Sequence, residues 1–169
     1  MVHIVEATRS EQIAVVRSLF LEYAEWLGIS LCFQGFDEEL ETLPGRYAPP
    51  RGRLLLAMEG EVPAGCIALR PLDATSCEMK RLYVRASHRG QGLGRDLVLH
   101  VLRDAARLGY TRMRLDTLPV MAAAQRLYAA LGFREIAPYY PNPVEGAVFM
   151  EIDLPAKAAT EGPQAVQAE

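Results

Sequence analysis

At 169 residues, half of them apolar, the chain is long enough to bury one real core and too short for two domains of usual size. A net charge of −3, with Lys and Arg scattered rather than gathered into a stripe, gives nucleic-acid binding little electrostatic support. No run approaches the length of a membrane span, and the opening Met-Val-His-Ile lacks a basic segment followed by an apolar signal core, so the expectation is a soluble, cytoplasmic protein.

Val2 to Glu6 alternates weakly and predicts a first strand. Thr8-Arg9-Ser10-Glu11 has the capping-box pattern of a helix start, and Ile13, Val16, Phe20, Tyr23 and Leu27 then recur on one helical face until Gly28. Between Gly28 and Arg53 the pattern is irregular, and its acidic run of Asp37, Glu38, Glu39 and Glu41 predicts a short helix across Asp37 to Leu43. A connection of this length carrying its own aromatics reads as a functional lid, with packing ballast as the plainer alternative. Leu54 to Met58 and Ala64 to Arg70 form a hairpin through Glu59-Gly60-Glu61. The next strand, Cys77 to Val84, is mixed on both faces, because Glu78 and Lys80 share a face with Leu82 and Val84. It is therefore expected at an edge or lining a wet cleft.

Leu97, Val98, Val101, Leu102, Ala105 and Leu108 make one apolar face of a helix that ends at Gly109. Arg112 to Thr117 follows as a strand, and Pro119 opens a helix that reaches Leu131, with Gly132 as its cap. Tyr139 to Pro143 reads as a stiff aromatic loop and Val148 to Leu154 as a final strand. One domain over 1–154 is expected, and residues 155–169 have the composition of a disordered tail. Cys32, Cys66 and Cys77 sit among apolar residues without zinc or disulfide spacing, and read as buried free thiols. His3, His88 and His100 have no ligand spacing, so no metal is expected, and His88 reads as an exposed turn residue.

The stretch Arg89-Gly90-Gln91-Gly92-Leu93-Gly94 lies between the Cys77 strand and the Leu93 to Leu108 helix. Glycines let backbone approach an anion closely, and the helix N-terminus adds partial positive charge, so the stretch reads as a phosphate cradle, with a glycine-rich helix start that holds no ligand as the equal alternative for these six residues alone. Spacing rules out two kinds. Counting from Gly90, the sixth position of a dinucleotide fingerprint is Arg95 rather than glycine, and no Gly-Lys-Ser/Thr occurs anywhere.

The remaining pattern, Arg-x-x-Gly-x-Gly, resembles the pyrophosphate loop of the GNAT superfamily of acetyl-CoA-dependent acyltransferases. Two further motifs agree in order and separation: Glu78-x-x-x-Leu82-x-Val84, and Ala124-x-x-Leu127-Tyr128-x-x-Leu131-Gly132-Phe133. The resemblance covers roughly Leu54 to Leu154 well, and the N-terminal third in outline. It implies an α/β fold with a mixed, mostly antiparallel sheet splayed between its fourth and fifth strands and flanked by helices. Acetyl-CoA, the implied co-substrate, would enter that gap. Its pantetheine arm would pair with the backbone of Leu82, Tyr83 and Val84, and its pyrophosphate would lie on the amides of Arg89, Gly90, Gln91, Gly92, Leu93 and Gly94, with Arg95 adding charge. A homodimer is also within what the resemblance allows. One position departs from the pattern: many members carry Asn seven residues before the tyrosine, where this chain has Met121, which cannot donate a hydrogen bond.

The implied activity is direct transfer of acetyl to a primary amine of a small molecule or peptide. A weakly active acetyl-CoA sensor is the alternative that Met121 raises. An amine with a pKa of ~10.4 must first lose its proton, at a cost of roughly 4.6 kcal/mol at pH 7, so a base is useful. By resemblance Glu78 is the base and Tyr128 the acid at the leaving thiolate. Read without the resemblance, Glu78 is equally a strand carboxylate paired with Lys80, Arg81 or another cation, and Tyr128 is one more member of an apolar helical stripe. Glu22 and Glu25 are lesser candidates for the base. By resemblance the segment Gln34 to Glu41 lies over the acceptor side, opposite the Tyr139-Tyr140 loop. There Asp37, Glu38, Glu39 and Glu41 would attract a cationic acceptor such as a small polyamine-like or aminoalkyl compound or an exposed peptide lysine; a solvated face on a short helix is the plainer alternative.

Overall fold

The computed structural model describes residues 1–155; the tail expected beyond them lies outside the described residues. Seven strands form one sheet: β1 (Val2–Glu6), β2 (Arg53–Glu59), β3 (Val62–Pro71), β4 (Ser76–Val84), β5 (Arg112–Thr117), β6 (Arg134–Ile136) and β7 (Val148–Asp153). Their order is β1-β2-β3-β4-β5-β7-β6, and every pairing is antiparallel except β4 with β5. Among the described residues, four α-helices flank the sheet: α1 (Ser10–Leu27), α2 (Phe36–Thr42), α3 (Leu93–Arg107) and α4 (Ala122–Leu131). None of the described helices is long and apolar enough to cross a membrane.

The two faces of β2 and β3 feed two separate cores. Leu55, Ala57, Ile67 and Leu69 pack with Leu97, Val98, Val101 and Ala105 of α3. Alternate residues Leu54, Leu56, Cys66 and Ala68 pack with Val16, Leu19, Phe20 and Tyr23 of α1. A strand buried on both faces must be apolar at every position, which is why these two read as continuous apolar runs.

Several local expectations shift. At the start of α1 the side chain reaching back is Gln12, whose Oε1 accepts from the backbone N–H of Thr8 and Arg9 at 3.0 Å each; Glu11 instead pairs with Arg9 in solvent. Pro119 opens a 3₁₀ turn through Met121, and α4 proper begins at Ala122. The unexpected strand β6 has no apolar alternation to announce it. Ion pairs stitch it to β7, with Arg134 Nη2 lying 2.6 Å from Glu151 and 3.4 Å from Asp153. Cys66 and Cys77 are buried as expected, whereas Cys32 is exposed. His88 is buried rather than exposed, because Glu59 of β2 meets its Nε2 at 3.0 Å and Ser87 its Nδ1 at 2.9 Å.

Candidate active site

Strands β4 and β5 pair only at their starts, through Ser76 with Arg112, Cys77 with Met113 and Glu78 with Arg114. Beyond that point β5 stays with β7 and β4 stays with β3, so from Met79 onward the β5-facing edge of β4 has no strand against it. The fork is sharpened by a bulge. Pairing steps from Cys66 with Tyr83 to Ala68 with Lys80, which leaves one extra residue on β4. Arg81 takes up the difference with a left-handed φ of 61°, a conformation that costs about 1–2 kcal/mol outside glycine.

Side chains from the N-terminal third hold that bulge. Arg81 Nε and Nη2 donate to the two oxygens of Glu39 at 2.9 and 3.0 Å, and Nη1 donates to Gln34 Oε1 at 2.7 Å. The guanidinium lies 5.2 Å from the Phe36 ring centroid, and the Cys66 thiol donates to the Arg81 carbonyl at 3.4 Å. The irregular connection is thus a clamp on β4.

On one side of the fork lies a cleft of about 400 Å³. Leu82, Tyr83, Val84, Arg89, Gly90, Gly92, Leu93 and Gly94 all border it, as does Met121, while the side chains of Gln91 and Arg95 are exposed outside it. The helix start supplies the donors. The first bond of α3 runs from Asp96 N–H to the Gly92 carbonyl, leaving the N–H groups of Leu93, Gly94 and Arg95 without helical partners. Gly92 has φ of 82°, and a Cβ there would meet no protein atom within 4 Å, so glycine serves the backbone conformation and open access. Arg89 is pinned by Nε donation to the Val84 carbonyl at 2.8 Å, its guanidinium 5.2 Å from the ring of Trp26 and 5.8 Å from that of Tyr83. A strand edge without a partner, adjoining unpaired amides at a helix N-terminus, fits a long ligand with an amide-bearing arm and an anionic end.

At the crotch of the fork sits a smaller cavity of about 30 Å³, which shares Leu82 and Met121 with the cleft. Tyr128 borders it, 2% exposed, and its hydroxyl makes no hydrogen bond among the described residues. Burial pushes the phenol pKa up, so it stays protonated. Lys80 and Asp116 border the same cavity with Nζ and Oδ1 3.8 Å apart, and burial pulls the Lys80 pKa down. Asp116 Oδ2 accepts from Tyr140 and from Asn142 Nδ2.

Glu78 lies at the last paired position, 1% exposed. Its Oε1 accepts from Arg70 Nε at 2.8 Å and pairs with Nη2 at 2.7 Å, and Oε2 accepts from Tyr139 at 2.5 Å. Its link to the cavity is Lys80, 4.0 Å away. Glu22 is bidentate to Arg85, whose hydrogen bonds hold its carboxyl below the usual range, and Glu25 is exposed. Gln34 and Tyr140 belong to the two segments expected on the acceptor side, whereas the sequence reading singled out neither Asp116 nor Trp26. Of these two only Asp116 left a trace, as the one acid on the polar face that Arg112 and Arg114 share in the alternating strand Arg112 to Thr117.

With this geometry in place, comparison with known proteins gives the class. The profile of the acetyltransferase (GNAT) family matches residues 17–133. An uncharacterised N-acetyltransferase of Schizosaccharomyces pombe is 41% identical over 140 residues, covering 82% of this chain and 86% of that protein. Another from Dictyostelium discoideum is 33% identical, covering 91% and 99%. The fold is shared with a GNAT-family acetyltransferase from Staphylococcus aureus, at a TM-score of 0.77, 22% identity and coverage of 92% and 100%. A putative acetyltransferase from Salmonella typhimurium, solved with its cofactor acetyl-CoA, overlays at a TM-score of 0.70, 20% identity and coverage of 92% and 95%. The chain belongs to the GNAT family. It is an N-acetyltransferase.

Proposed function

We propose that this enzyme moves an acetyl group from acetyl-CoA directly to a primary amine, without an acyl-enzyme intermediate. The observation that carries the reading is the unpartnered Tyr128 hydroxyl in a small cavity where the open edge of β4 meets the cleft. The backbone of Leu82, Tyr83 and Val84 pairs with the pantetheine arm. The amides from Gly90 to Gly94 and on into the first turn of α3 hold the pyrophosphate; Arg89, whose own N–H donates to the Ala86 carbonyl at 3.4 Å, supplies counter-charge, and Arg95 adds its amide and long-range charge. Bound acetyl-CoA supplies an electrophilic thioester carbonyl and a leaving thiolate.

A carboxylate of the Glu78–Lys80–Asp116 group takes one proton from the substrate ammonium. The freed nitrogen forms a bond to the carbonyl carbon, and the carbon–sulfur bond then breaks. Tyr128 gives its proton to the departing sulfur and regains one from the nitrogen, which leaves an amide and a free thiol. Glu78 serves as base through movement of its Tyr139 or Arg70 partner. Asp116 offers Oδ1 to the cavity directly, which gives it an independent claim to that step.

Thiol release from acetyl-CoA with an amine panel tests the reading. Tyr128→Phe should lower kcat by about 10²-fold or less while leaving the acetyl-CoA Kd within about twofold. Glu78→Gln and Asp116→Asn assign the base: the variant whose activity falls most at low pH, where neutral amine is scarcest, has lost it. Binding of acetyl-CoA with no thiol release for any amine would instead favour the sensor reading, to which Met121, buried where Asn is usual, lends its support.

A further inference from the structure

Lys80 is a buried cation short of partners. Its side chain is 3% exposed, and its Nζ lies 3.8 Å from Asp116 Oδ1 and 4.0 Å from Glu78 Oε1, both beyond hydrogen-bond distance. The surrounding carboxylates are committed elsewhere: Glu78 to Arg70 and Tyr139, Asp116 Oδ2 to Tyr140 and Asn142, and Glu39 to Arg81. What remains open is one ammonium and one carboxylate oxygen, side by side and of opposite sign, on the wall of the cavity that holds the Tyr128 hydroxyl. No fully buried side-chain nitrogen or oxygen among the described residues lacks a hydrogen-bond partner, so the Lys80 ammonium is not sealed in protein but opens on the cavity it borders, and Met or Leu would fill the position without the cost of holding a charge there. Such a charge is kept where a ligand completes it.

The ligand must carry the complementary pair in a small space. A volume of about 30 Å³ admits about two water-sized groups. An amine nitrogen and one oxygen of a carboxylate on the same carbon meet that description. Resting on the acetyltransferase reading above, we propose that the acceptor is a free α-amino acid. Asp116 Oδ1 receives its amine beside Tyr128, and Lys80 receives its carboxylate. The side chain leaves past Gln34, which also borders a wider cavity of about 350 Å³ beyond the fork. A polyamine is disfavoured at this position, because it would set a second cation against Lys80. The acidic segment does not offset that: Asp37, Glu38 and Glu41 are exposed and Glu39 is spent on Arg81.

The test compares each of the twenty free amino acids with its decarboxylated amine and its α-amide, following thiol release from acetyl-CoA. For at least one amino acid, kcat/KM in the wild type should exceed that of both analogues by about tenfold to a hundredfold, the worth of a hydrogen bond to a charged group. In Lys80→Met, checked for folding by its melting rise with acetyl-CoA, that preference should fall to about twofold or less, and Lys80→Arg should restore part of it. The proposal is overturned if the decarboxylated amines or amides are used as well as the amino acids, an outcome read from wild type alone, or if the preference survives Lys80→Met. Turnover of carboxylate-free amines alone sinks only this proposal; no release with any compound sinks the amine-transfer reading with it.

Discussion

The two arms of the fork are made of different material. On the side proposed for the cofactor the structure offers backbone: an unpaired edge of β4 and the free amides at the start of α3, positioned by glycines within a few residues of one another. On the acceptor side it falls to side chains that meet across the chain. Arg81 reaches Glu39 over a separation of 42 residues, Tyr139 reaches Glu78 over 61, and Gln34 meets Tyr140 over 106. A backbone site tolerates exchange of side chains, apart from glycine, whereas a network of buried ion pairs fails when one member is removed. The comparison therefore makes opposite demands on mutagenesis.

The largest effect should come from the acceptor side. Glu39→Ala strands the buried Arg81 guanidinium, and breaking a buried pair costs about 3–5 kcal/mol. At about 2–4 °C per kcal/mol for a chain of this size, the melting temperature should drop by roughly 6–20 °C, with the loss read by thermal unfolding. Acetyl-CoA affinity of the folded fraction should change little. An equal loss of cofactor affinity would show that the bulge belongs to both arms, and the comparison would fail. Next in size is Gly92→Glu, which puts a side chain on a left-handed residue and an anion at the helix start. By calorimetry the acetyl-CoA Kd should rise about a hundredfold, or ~2.7 kcal/mol, from lost approach and like charge. Unchanged affinity in a folded variant would remove the pyrophosphate from this loop.

The same division explains what could be read in the sequence. The glycine loop, the strand before it and the Tyr128 helix are local patterns, and each lies where its spacing places it. The sheet was legible for a related reason: the doubly buried β2 and β3 are apolar at successive positions, and α3 shows its face by period alone. β6 was not legible, since three residues held by Arg134 to Glu151 carry no period. Nor was the charge assignment at the fork. Glu78, Lys80 and Arg81 stand near one another in sequence, so pairing among them was the natural reading. Glu78 is ion-paired, but its close partner is Arg70 of β3 with Lys80 at 4.0 Å, while the bulge at Arg81 sends that side chain to α2 and Lys80 also meets Asp116 of β5. No spacing rule reports a partner brought by another strand.

Trp26 gives the smallest effect and the sharpest view of the boundary between the arms. It lies on α1, is 44% exposed and borders the cleft proposed for the cofactor, with Arg89 over its ring. An exposed aromatic face beside a fixed cation can cover part of a bound arm while the guanidinium meets the phosphates. Loss of the cation–π contact alone is worth about 0.5–1 kcal/mol, so Trp26→Leu should weaken acetyl-CoA binding about two- to fivefold and leave the amino-acid preference untouched. Trp26 is also the sole tryptophan of the chain, so its emission isolates this one spot. Titration with acetyl-CoA should change that emission with the same midpoint as calorimetry, and the midpoint should move with Gly92→Glu. An acceptor amino acid added alone should leave it unchanged, because Trp26 borders neither the Lys80 cavity nor the space beyond Gln34. Binding by calorimetry with silent emission would mean that the cofactor avoids the mouth of this cleft, and the backbone arm would have to be redrawn away from Arg89.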